Sequence, residues 1–197
     1  DLNGKEKINQ SADIVVVGAG TVGLMVSSML AQKGFSVLNL ESGDYEQKNE
    51  THPLNEVVYK KSTYNSSTNG RFRCLGGTST RWGAALLPFL SKDIKDGQWP
   101  ILPEEISKYL NKVEDLFGLS HESYESPDMF RGNNINFIPR LAKFPSYNNR
   151  NVLNIFENYI KSENSLTVWI NATVNKFKVL SSYRLKLNDK IYFNNFN

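Results

Sequence analysis

Asp13-Ile14-Val15-Val16-Val17-Gly18-Ala19-Gly20-Thr21-Val22-Gly23 is the stretch that decides the fold. Its first five residues read as a short buried strand. Thr21 to Lys33 reads as a helix with apolar residues at Val22, Met25, Val26, Met29 and Leu30. Between the two sits Gly-x-Gly-x-x-Gly, a weak signal alone and a dinucleotide fingerprint in this strand–turn–helix context. Gly18 permits the tight turn, Gly20 lets backbone approach a pyrophosphate, and Gly23 lets the helix pack closely on the strand. The N–H groups of the helix start, at Thr21 and Val22, and the positive end of its dipole favour a phosphate. An ordinary strand, turn and helix is the plainer alternative.

Outward from this stretch, Gly34 stops the helix and a second apolar run, Phe35 to Leu40, ends in Glu41. A carboxylate about twenty residues past the turn can accept hydrogen bonds from both ribose hydroxyls, and it repels a 2′-phosphate. Residues 41–71 read as an extended polar loop with at most a short strand at Val57-Val58-Tyr59. Pro103 opens a helix running to Gly118, with its apolar stripe at Ile106, Tyr109, Leu110, Val113, Leu116 and Phe117 expected in a core. Residues 120–148 look irregular, 151–161 helical, and 166–170 a third strand. Short antiparallel strands are expected at 174–180, 183–187 and 191–193.

Composition narrows the class. The chain has 197 residues, 40% apolar and 22% charged, which fits a globular domain rather than disorder. A net charge of +3 with scattered lysines gives no case for nucleic acid. No apolar run reaches membrane-spanning length. The first ten residues carry no export signal, and the chain opens on Asp1, which leaves a removed leader open; the compartment is left unassigned, with cytoplasmic slightly favoured. Cys74 is the single cysteine, which rules out an internal disulfide and a cysteine metal cluster, and no metal site is expected. His52 and His121 read as loop residues.

A second glycine segment follows, Leu75-Gly76-Gly77-Thr78-Ser79-Thr80-Arg81-Trp82-Gly83. Its Gly-Gly backbone can pass close to a flat ligand, the three hydroxyls can meet a polar edge, and the Trp82 indole can wall a site. Arg71, Arg73 and Arg81 bring positive charge that suits a pyrophosphate or a reduced flavin. A glycine turn with a buried Trp and solvated arginines is the bland alternative.

Together these motifs resemble the glucose-methanol-choline oxidoreductases, FAD enzymes that oxidise alcohols and sugars. The resemblance rests on Gly18, Gly20 and Gly23, on Glu41-Ser42-Gly43, on Gly76-Gly77-Thr78-Ser79 with Trp82-Gly83, and on Trp99-Pro100 before the helix to Gly118. The second segment looks most like the pyranose oxidase branch. What the resemblance implies is an α/β fold: an FAD-binding Rossmann-like parallel sheet of the glutathione-reductase type, incomplete at the C-terminus, with a partly helical insertion and an antiparallel meander. The expected division is 1–96 as the first part of the FAD domain, 97–164 as the insertion, and 165–197 as the return to the FAD domain.

Carried over residue by residue, the resemblance implies that Gly18, Gly20, Thr21, Val22 and Gly23 meet the FAD pyrophosphate. Glu41, with Ser42 and Arg73 beside it, holds the adenosine side, and Val174 meets the adenine. Gly76, Gly77, Thr78, Ser79, Trp82 and Gly83 line the flavin side. In pyranose oxidases a His before the Trp binds flavin covalently; Arg81 stands there in this chain, so non-covalent FAD is expected. The implied reaction is hydride transfer from the carbinol of a sugar or other alcohol to flavin N5, with an electron acceptor left open. The catalytic base is expected beyond residue 197, so no catalytic residue is assigned. Two other readings stay open, an NAD-dependent dehydrogenase and a truncated, non-catalytic nucleotide-binding module.

Overall fold

The computed structural model describes residues 10–48, 50, 52–60, 70–94, 99–130, 138–162 and 164–177. The chain forms two compact units. One comprises residues 1–81 and 151–197, the other residues 82–150. The expected divisions stood at 97 and 165.

In the first unit three strands form a parallel sheet in the order β1-β2-β3: β1 Ile14–Val17, β2 Val37–Leu40 and β3 Leu166–Trp169. Val37 pairs with Ile14 on one side and Leu166 on the other, and the register continues to Leu40 beside Val17 and Trp169. With β2 central, this is half of a doubly wound sheet. The β-branched and apolar residues of β2 suit a strand covered on both faces, and all four of its residues are buried.

Alternation along β2 sorts its side chains to two faces. Val37 joins Ala31 and Leu166 in one cluster, packed by Tyr159 and Ile160. Ala31 comes from α1, Thr21–Gln32, and the two aromatic and aliphatic partners from α4, Val152–Ser162. Leu38 and Leu40 join Ala172 on the other face, beside Val15, Trp169 and Val174. This packing places α4 in the first unit, although the sequence reading assigned it to the insertion. Asn39 faces α1 too. Its Nδ2 donates to Ser27 Oγ at 2.7 Å and to the Gly23 carbonyl at 3.3 Å, fixing the helix on the sheet near its N-terminus.

The second unit contains α2, Pro103–Ser107, and α3, Leu110–Phe117. A single helix was expected here. The ladder tightens between them, where the Tyr109 N–H donates to Ile106 O at 3.0 Å, a three-residue step that breaks α-helical geometry. The stripe divides with it: Phe117 is buried, whereas Ile106 and Tyr109 are exposed. Leu86 and Lys143 exchange both backbone hydrogen bonds at 2.9 Å, and Leu141 N–H donates to Tyr124 O at 2.8 Å. Under this pairing the Lys143 ammonium meets the buried Glu114 carboxylate at 2.5 Å and the carbonyls of Ser120 and Glu122 at 2.6 Å.

No strand forms at Val57–Tyr59; the loop instead makes a short 3-10 turn at Pro53–Asn55. Residues 174–177 are not strand. The strands expected at 183–187 and 191–193 lie outside the described residues. No helix among the described residues is long and apolar enough to cross a membrane.

Candidate functional site

The first glycine segment turns where β1 ends. The Gly18 N–H donates to Leu40 O at 2.7 Å, so the turn is hung on the end of β2. A Cβ at Gly23 would collide with the Gly18 carbonyl, which makes glycine obligatory for the close approach of α1. At Gly20 the space a side chain would take is empty to 4 Å. Thr21 and Val22 open α1, Thr21 half-buried and Val22 exposed.

The second glycine segment lies against the first. Gly76 N–H donates to the Ala19 carbonyl at 2.9 Å, and a Cβ on Gly77 would stand 2.9 Å from the Gly20 Cα. Gly77 also has φ +52°, so a side chain there is opposed by both conformation and space. The segment runs beside the end of β2, with Leu75 N–H donating to Asp44 O at 3.1 Å and Cys74 bridging Asp44 in parallel. Cys74 is fully buried, and burial pushes its thiol above the ordinary range.

Together the two segments, the ends of β1 and β2 and the residues after β3 line an open cavity of about 630 Å³. Its lining includes Gly18, Gly20, Glu41, Ser42, Arg73, Gly77, Thr78 and Val174 from the expected set. Val17, Leu40, Leu54, Asn55, Arg71 and Phe72 also line it, with Ala172, Thr173 and Asn175 beside Val174. The last group arrives because Ala172 N–H donates to Glu41 O at 2.7 Å. This volume and mixture of glycine backbone with a few polar side chains suit a small-molecule ligand.

Glu41 is 6% exposed, and its carboxylate is engaged with backbone. Oε2 accepts from Ala19 N–H at 2.8 Å, Oε1 from Gly43 N–H at 2.8 Å, and Ser42 Oγ donates to Oε1 at 3.3 Å. The carboxylate therefore braces the first glycine turn against the turn after β2. Its remaining lone pairs are the ones that could meet ribose hydroxyls. Arg73 continues the chain of bonds, donating from Nη1 to Ser42 Oγ at 2.8 Å and from Nε to Asn55 Oδ1 at 2.8 Å.

Other expected residues are placed differently. Gly23 packs behind the turn, and Gly76 holds the two glycine segments together. Ser79 is buried; its hydroxyl donates to Gly76 O at 2.6 Å and accepts from Val152 N–H at 3.1 Å, so it anchors the start of α4. Trp82 and Gly83 belong to the second unit. There the Trp82 indole donates to Arg150 O at 2.5 Å and tilts against Phe117, with ring centroids 6.4 Å apart. His121 pairs with Asp115 at 2.8 Å on the surface of that unit.

Sequence reasoning missed Asn55, Ala19, Phe72 and Asn39. Asn55 stands in a polar loop with nothing local to mark it, and only its contacts across the fold single it out. Asn39, a polar residue inside an apolar run, was the one visible anomaly.

Among known proteins, the chain is similar to the long-chain-alcohol oxidase FAO3 of Arabidopsis thaliana, with 32% identity over 85 residues. The matched stretch covers 41% of this chain and 11% of the oxidase, so the chain corresponds to a small part of that protein's length. No protein-family model matches the chain.

Proposed function

We propose that this chain forms the dinucleotide-binding part of an FAD-dependent alcohol oxidoreductase of the glucose-methanol-choline type. The single observation that carries this reading is the docking of Gly76-Gly77 on Ala19 and Gly20, which builds one glycine-walled cavity from two distant segments. An NAD site needs the first segment only and leaves the second without a role. The likeness to an alcohol oxidase supports the same reading.

The residues present fit the cofactor. A cavity wall without side chains at Gly18, Gly20 and Gly77 lets backbone approach a pyrophosphate, and the N–H groups at the start of α1 favour its charge. Glu41 would hold the ribose, Arg73 adds positive charge on the same wall, and Thr78 and Val174 complete the lining. When bound, FAD supplies the acceptor for a hydride leaving the substrate carbinol. The chain's contribution is to bind and orient. Among the described residues that line the cavity the carboxylate is Glu41, and its place at the ribose end leaves no group there assigned to take the hydroxyl proton.

Two substrate classes are in view, a sugar from the pyranose oxidase-like motif and a long-chain alcohol from the oxidase relative. The second unit has its own open apolar cavity of about 600 Å³, lined by Leu86, Leu87, Phe89, Ile101, Ile106 and Leu110 among others. That lining suits an alkyl chain better than a sugar, and it favours the long-chain alcohol.

Absorption spectroscopy of the full protein is the test: flavin bands that are released on denaturation are expected. A colourless protein that takes up no added FAD would refute the proposal. Activity against a panel of long-chain alcohols and sugars then ranks the two substrate classes.

A further inference from the structure

We propose that Asn55 is a positioning residue for the adenosine end of this cavity, acting through Arg73 and Ser42 on the wall that carries Glu41. The inference rests on the dinucleotide reading above and adds a residue and a loop to it. Asn55 is 4% exposed and both ends of its amide are used. Oδ1 accepts from Arg73 Nε at 2.8 Å, and Nδ2 donates to Arg71 O at 2.8 Å. The amide thus holds the side chain of one arginine and the backbone of the other.

Arg73 in turn is held on three sides. Besides Asn55, its Nη1 donates to Ser42 Oγ at 2.8 Å and its Nη2 to Leu54 O at 3.3 Å. A guanidinium fixed at three nitrogens has one orientation, whereas a long side chain left to itself samples many. Ser42 passes the constraint on, because its hydroxyl donates to Glu41 Oε1, and that carboxylate also braces Ala19 and Gly43. The backbone is locked at the same place: a Cβ on Gly43 would strike the Arg73 carbonyl. One hydrogen-bonded clasp therefore runs from the 3-10 turn at Pro53–Asn55 to the first glycine turn.

The clasp lies at the end of β2, where doubly wound sheets hold the ribose. It is built from the chain's own bonds, so its effect on binding is to spare the cost of ordering Arg73 and Glu41. Both polar atoms of the Asn55 side chain are bonded to the two arginines and the residue is 4% exposed, so its influence passes through Arg73.

Calorimetric titration of the full protein, freed of cofactor, with ADP and with FAD tests this, alongside thermal melts. In Asn55→Leu both ligands should bind about ten-fold more weakly, the scale of one hydrogen bond to a charged group. Asn55→Asp keeps an acceptor for Arg73 Nε and loses the donor to Arg71 O. It should melt lower and yet bind ADP and FAD within about three-fold of wild type. If Asn55→Leu does not fold, Asn55→Ser, which is too short to reach Arg73, carries the same expectation of loss. Unchanged ADP affinity in the Leu or Ser variant would overturn the proposal, as would an Asp variant as weak as these. Wild-type protein that binds ADP and not FAD would leave the clasp standing and remove the flavin reading; binding of neither would remove both.

Discussion

Gly77 is where the two glycine segments touch, and a single methyl group tests the contact. Gly77→Ala places a Cβ 2.9 Å from the Gly20 Cα on a backbone with φ +52°. The substitution should destabilise the first unit by about 1–3 kcal/mol, as overpacking does, and weaken ADP binding by at least about ten-fold, read by urea unfolding and titration. His52 bears on the same site. Its Nδ1 accepts from Leu54 N–H at 3.1 Å and caps the turn that carries Asn55. Burial holds the imidazole below its ordinary value of 6.5, and the charge of Arg73 adds to this. A depressed histidine binds its proton more readily unfolded, so its contribution is complete above pH 6.5 and is lost as pH falls through the folded value. Melting temperature should therefore drop below about pH 6.5, and His52→Asn, which offers an uncharged cap, should flatten that part of the profile. Glu41 was legible in the sequence as the acidic end of β2. Its engagement with Ala19 and Gly43 was not, because those N–H groups reach it only after the strand and both turns have assembled.

At the scale of elements, β1, α1, β2, α4 and β3 were all readable from apolar periodicity. β2 is buried throughout, but α1 is not covered where its stripe predicts: Val22, Val26 and Met29 are exposed, and Leu24, Ser27, Ser28 and Ala31 are the buried residues. The helix expected over 103–118 was not readable in full, since a local tightening at Tyr109 costs the periodicity nothing and leaves no mark in the sequence. Lys143 shows the same limit in the irregular region. It joins the segment at 140–143 to α3 through the Glu114 carboxylate and ties down Ser120 and Glu122. Burial is the largest single influence on the Glu114 carboxyl and would raise it, but the bond and charge of Lys143, together with Tyr124 and His121, outweigh it and the net direction is down. Lys143→Met leaves that buried carboxylate without its cation and should cost the second unit about 3–5 kcal/mol by urea unfolding. Acid acts on the same pair: its contribution is present above the ordinary Glu value of 4.5 and is lost as pH falls through the lowered one.

Across the whole molecule, the chain leaves the first unit after Arg81 and returns at Asn151. The two ends are close, because Ser79 Oγ accepts from Val152 N–H at 3.1 Å. Residues 82–150 are thus an insertion whose exit and entry can be joined directly. Replacing them with a short Gly/Ser loop in the full protein should leave ADP affinity within about three-fold of the intact protein, measured by titration; a complete loss would show that the first unit depends on the second. The sequence by itself determined the parallel α/β unit, the glycine turn at a helix start and the acidic residue after β2. All of these follow from local spacing, chain direction and the conformations glycine permits. Only the tertiary structure decided that Gly76-Gly77 closes on the first turn, that Ser79 anchors a helix, and that Asn55 and Arg73 brace Glu41. Those facts are contacts between residues tens of positions apart, and hydrogen bonds over such separations carry no periodicity for a sequence to display.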